Sequence, residues 1–151
     1  MGTASEALDR EQHRRLGIDL YNRTWTLMDS PGEELLNCAH ASAYHWMKGG
    51  GGTANRARSE WLCSRVYSIL GRSEPALHHA RRCLELVESS PGEMEDWDIA
   101  GAYEALARAH LTAGETQEAR RFFELGREAT SNIVDPDDRK HIQADLDALA
   151  L

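Results

Sequence analysis

The segment Tyr67-Ser68-Ile69-Leu70-Gly71-Arg72-Ser73-Glu74-Pro75-Ala76 decides the reading of this chain. Its pattern returns in His110-Leu111-Thr112-Ala113-Gly114-Glu115-Thr116-Gln117-Glu118-Ala119. Each copy runs from an aromatic or imidazole ring, four residues to a glycine, and five more to an alanine. Glycine permits a tight reversal between two helices, because it enters left-handed backbone space without steric cost. The small alanine lets the returning helix approach closely, and the ring fills the space between the two.

Working outward, the flanking segments are rich in Leu, Ala, Glu and Arg, which are good helix formers. Val, Ile and Thr are sparse, and no run alternates apolar and polar residues at the strand period. Turn-forming residues divide the chain into seven helices. They span about Ser5 to Met28, Glu33 to Lys48, Ala54 to Leu70, Ser73 to Glu88, Asp98 to Ala113, Thr116 to Asn132, and Pro136 to about residue 150. Ser5 is a partial cap of the first and Asp135 the cap of the last. Asp29-Ser30-Pro31-Gly32 and the loop from Ser89 to Asp96 break the helical pattern. Gly49 to Gly52 reads as a mobile connector, since four glycines hold helix poorly against their backbone entropy. The expected fold is all-α, a single domain over residues 1–151.

The repeated spacing resembles the tetratricopeptide repeat (TPR). Ala76, Ala80, Ala119 and Phe123 match the family's small and bulky positions in the second helix of a unit, and Leu106 matches one in the first. Cys63 and Ser64 stand where the family favours Leu and Gly, and Gly126 replaces an alanine. The copies lie 43 residues apart, against a family period of about 34, and the loop from Ser89 to Asp96 takes up the excess. The resemblance implies a short TPR-like α-solenoid, with units at 54–88 and 98–132. A degenerate first pair at 5–48 precedes them, and a capping helix at 136–150 follows.

Composition narrows the function classes. A formal net charge of -8 repels phosphates at long range and argues against nucleic acid as a partner. No stretch approaches the roughly 20 apolar residues of a membrane span, and Met1 to Arg15 lacks the apolar core of a secretory signal. Cys38, Cys63 and Cys83 are odd in number, far apart and inside helical patterns, as expected of buried thiols in a reducing compartment. A cytoplasmic location is the expectation. The chain has no Gly-x-Ser-x-Gly elbow, no phosphate-binding Gly-rich loop followed by Lys-Ser/Thr and no Cys-x-x-Cys. An enzyme is therefore the less favoured class, and no cofactor is expected.

Two groups of residues remain as candidate sites. The family register implies a concave groove presenting Arg58, Trp61, Arg65 and Ser68 from the third helix and Glu104 and Arg108 from the fifth. Arginine beside an indole suits a carboxylate or acidic peptide held by two parallel hydrogen bonds. Trp97, after the loop, is placed to cover one end of that groove. The second group is His40-Ala41-Ser42-Ala43-Tyr44-His45-Trp46. His40 and His45 lie about 140° apart around a helix, so they do not chelate one metal together, and no ligand spacing selects further donors. Rings flanking a core stripe are the simpler reading of His40 and Tyr44. His78 is spaced to pair with Glu74 one turn away, and His110 reads as a core histidine.

Two function hypotheses follow. The favoured one is an interaction module that binds a protein or peptide segment through the concave groove, with self-association and a small acidic ligand as further partners. The alternative is a small helical ligand-binding protein or enzyme with a pocket around His40, Tyr44, Trp61 and Arg58.

Overall fold

The computed structural model describes residues 7–151. Seven α-helices follow one another: α1 (Arg10–Leu27), α2 (Glu33–Lys48), α3 (Thr53–Ile69), α4 (Ser73–Ser89), α5 (Asp98–Thr112), α6 (Thr116–Ser131) and α7 (Pro136–Asp147). A single 3-10 turn, Pro91–Glu93, interrupts the α4–α5 loop, and no strand occurs among the described residues. Each helix packs against the next, and α3 and α5, and then α5 and α7, also touch directly. The result is a solenoid-like stack of helix hairpins with the odd-numbered helices along its inner side. Among the described residues, no helix is long and apolar enough to cross a membrane.

The two repeated turns have one geometry. Gly71 and Gly114 sit at φ +70° and +75°. Arg72 N–H donates to the Tyr67 carbonyl and Gly71 N–H to that of Ser68, at 2.9 and 3.1 Å. At the second turn Glu115 N–H donates to His110 and Gly114 N–H to Leu111, at 2.9 and 3.0 Å. These paired bonds satisfy the last carbonyls of α3 and α5 and reverse the chain within three residues. Ala76 and Ala119 are fully buried where the returning helices cross, and Ser64 Oγ donates across the first crossing to the Ala76 carbonyl at 2.8 Å. The ring that opens each copy stacks on one from the returning helix. Tyr67 lies on His79 and His110 on Phe122, each pair 5.5 Å apart and 6° from parallel. Ring identities differ between the copies, yet the packing slot is the same.

Other elements depart from the expectations. The first helix begins at Arg10, not near Ser5, and Ser5 lies outside the described residues. Asp9 caps it reciprocally: its carboxylate accepts from Gln12 N–H at 2.8 Å, and its own N–H donates to the Gln12 side chain at 2.9 Å. The last helix ends at Asp147, three residues short of the expected bound. Gly49 to Gly52 is more than a connector. Gly49 is buried, and a methyl group there would lie 2.8 Å from the Arg14 backbone, so the run admits α1 at close range. Gly126, the departure from the family's alanine, lies under Leu146 of α7, whose methyl carbon is 3.2 Å from where a Cβ would stand. That contact seats α7 on a core of Ala107, Phe123, Ile133, Ile142 and Leu149.

Gly71→Ala and Gly114→Ala should each lower stability by about 1–2 kcal/mol in urea unfolding, the cost of a left-handed alanine. Nothing lies within 4 Å of either position, so the loss is conformational alone. Gly49→Ala meets backbone, and at about 1–3 kcal/mol should cost at least as much by overpacking.

Candidate functional site

The inner side of the stack encloses a cavity of about 430 Å³. Helical spacing explains which residues reach it, because positions three, four and seven apart share a face. Tyr21 and Trp25 come from α1, and Ala57, Arg58 and Trp61 from α3. Trp97, Asp98, Gly101 and Ala102 come from α5 and the residue before it, and Asp138, His141, Ile142 and Asp145 from α7. Cys83 and Val87 of α4 complete the floor. Exposed Asp138 and His141 mark the mouth. Three of the four tryptophans thus share one space. The rings of Trp25 and Trp61 lie 5.6 Å apart, and burial holds the Tyr21 phenol above its ordinary pKa.

Each groove arginine already has an internal carboxylate. Arg58 donates twice to Asp98, at 3.0 and 2.8 Å, and lies 4.3 Å from the ring centre of Trp97. The Asp98 side chain is 3% exposed and also accepts the Glu95 N–H at 2.8 Å. These hydrogen bonds hold the Arg58 guanidinium above its ordinary pKa. Arg65 lies 5.2 Å from Trp25 and 5.5 Å from Trp61, reaching Asp145 at 3.5 Å. Glu104, 1% exposed, accepts from Arg108 Nε at 2.8 Å and from the Trp61 indole N–H at 3.3 Å.

The structure therefore brings Arg58, Trp61, Arg65, Glu104 and Arg108 together on adjacent helices. Their charges, however, are paired with one another or with Asp98 and Asp145. A guanidinium held by two bonds to a buried carboxylate positions the wall of the cavity and leaves that face closed to an acidic ligand.

His40, Tyr44 and His45 lie elsewhere and do not line the cavity. His40 Nε2 is 2.9 Å from the Tyr67 hydroxyl, and its ring is 5.5 Å from His79. His79 in turn pairs with Glu60, so the histidine of α4 that finds a carboxylate is His79 and its partner is not Glu74. His45 Nδ1 is 2.8 Å from His13 Nδ1, and exposed Tyr44 lies edge-on to both rings. His110 is buried. Among the described residues, no three His, Cys, Asp or Glu side chains converge as metal ligands. All three cysteines are free and buried. Burial pushes Cys63 up to about 12 and raises Cys38 and Cys83, so the thiols stay protonated and weakly nucleophilic.

Sequence reading missed Tyr21, Trp25, Asp98 and the α7 residues Asp138, His141 and Asp145. Tyr21 and Trp25 carry a legible signal, an aromatic pair four residues apart on one helix face. Asp98 and the α7 carboxylates carry none, since charged residues near a helix start are ordinary. No protein-family model, curated protein or solved structure matches the chain.

Removing Arg58 strands a buried carboxylate, so Arg58→Ala should lower stability by about 3 kcal/mol in urea unfolding, near the lower end for buried pairs. Arg58 itself is 30% exposed and tolerates loss of its partner better, which makes Asp98→Asn the milder change.

His40 and His45 supply a pH dependence. Burial, then a neighbouring histidine, holds both below the ordinary 6.5. The folded chain then binds fewer protons than the unfolded one. This contribution is complete above pH 6.5 and is lost as pH falls through the folded values. The urea midpoint should drop below pH 6.5, and His40→Gln should flatten that drop.

Proposed function

We propose that this protein is a TPR-like interaction module whose inner cavity seats an anchoring side chain of a protein or peptide partner. The observation that carries the reading is the cavity itself: about 430 Å³, walled by Trp25, Trp61 and Trp97 with Tyr21. Its size falls within the roughly 300–1,000 Å³ of ligand pockets. Buried aromatic pockets supply most of the binding energy at protein interfaces. Paired charges in the wall keep the indoles in place before any partner arrives, which lowers the ordering cost of binding. The repeated turns and the matching ring stacks support the tetratricopeptide comparison. Burial keeps the Cys83 thiol in the cavity floor protonated and the wall arginines are engaged internally, which favours binding over catalysis. Three free cysteines fit a cytoplasmic location.

Gly101 gives a clean test. It lies in α5 at the cavity wall, and a Cβ there meets only the Trp61 indole nitrogen, at 3.9 Å. Gly101→Ala should raise stability by about 0.5–1 kcal/mol through helix propensity. Gly101→Leu should fill the space. Peptides selected from a display library against the full chain, titrated by tryptophan fluorescence, should lose at least tenfold in affinity against Gly101→Leu while its helical circular dichroism persists. Unchanged affinity for every selected peptide would sink the reading. A second copy as the partner would appear in sedimentation as a dimer that Gly101→Leu disperses.

A further inference from the structure

We propose that the side chain seated in this cavity is cationic, an arginine or lysine of the partner segment; the inference rests on the binding role proposed above. The wall already handles guanidinium groups twice, in one manner. Arg58 lies against the Trp97 ring and ends on Asp98; Arg65 lies near Trp25 and Trp61 and ends on Asp145. In each case an indole takes the flat face or alkyl stem while a carboxylate takes the charge.

At the mouth the same elements recur without an internal cation. Asp138 lines the cavity from the first turn of α7 and forms no ion pair among the described residues. Asp145 is held by Arg65 at only 3.5 Å. Of the carboxylates that line the cavity, Asp98 is matched by Arg58 and Asp145 by Arg65, and Asp138 alone has no ion-pair partner among the described residues. The opening therefore faces an entering group with the unpaired carboxylate of Asp138, on a chain of net charge -8. Beyond it the interior is aromatic. A side chain that is apolar along its stem and positive at its end satisfies both parts, whereas an acidic one meets repulsion at the mouth.

The test uses three probes of similar length on the full chain: n-butylguanidinium, 1-pentanol and pentanoate, read through the NMR indole N–H signals of Trp25, Trp61 and Trp97. Butylguanidinium should bind at least tenfold tighter than pentanol, and pentanoate more weakly than either. Asp138→Asn should reduce cation affinity at least threefold and leave pentanol unchanged. Salt should weaken the cation alone. Equal affinity for pentanol or pentanoate, or indifference to Asp138→Asn, overturns the charge selectivity and leaves the cavity a binding seat. Absence of shifts with all three probes overturns both. The peptide Ac-Ala-Arg-Ala-NH2 separates the sources: affinity comparable to butylguanidinium supports a chain-borne cation. Binding more than tenfold weaker overturns the peptide assignment in favour of a small amine.

Discussion

Everything in this molecule depends on reversing a helix without leaving its last carbonyls unpaired. Gly71 and Gly114 do this by entering left-handed space, which lets the glycine N–H and that of the following residue fold back onto α3 and α5. Ala76 and Ala119 then allow the returning helix to lie close. Stacking the resulting hairpins sets α3 beside α5 and α5 beside α7, and that alignment gathers side chains from five helices around one cavity.

The cavity holds its shape through charge pairs placed among aromatic rings. Asp98 joins the start of α5 to Arg58 of α3, Glu104 joins Arg108 to the Trp61 indole, and Asp145 ties α7 to Arg65. A buried ion pair contributes little net stability against an apolar replacement, but losing one member is costly. Such pairs fix geometry more than they strengthen the fold. Here they orient the indoles and turn the arginines from candidate ligand contacts into structural parts. The charge left facing the opening is acidic, which inverts the polarity that the arginines alone suggested.

The histidines illustrate a second division of labour. His40, Tyr67 and His79 share one cluster, and His13 and His45 another, both outside the cavity. They couple α2 to α3 and α4, and α1 to α2, through side-chain contacts between the helices. Their concentration within His40 to His45 reflected helix-pair packing and not a pocket.

The all-helical class, the helix breaks and the two glycine turns were legible along the chain, because each is set by residues within a few positions of one another. Backbone conformational freedom and capping are local quantities, so Gly71, Gly114 and Asp135 announce themselves. The composition of the cavity was not legible. Arg58 and Asp98 are 40 residues apart, and Arg65 and Asp145 are 80, so whether an arginine is free or already paired depends on which helices the stack sets face to face. Only the tertiary structure decides that, because a charge takes its role from the partner within a few ångströms and not from its neighbours in sequence.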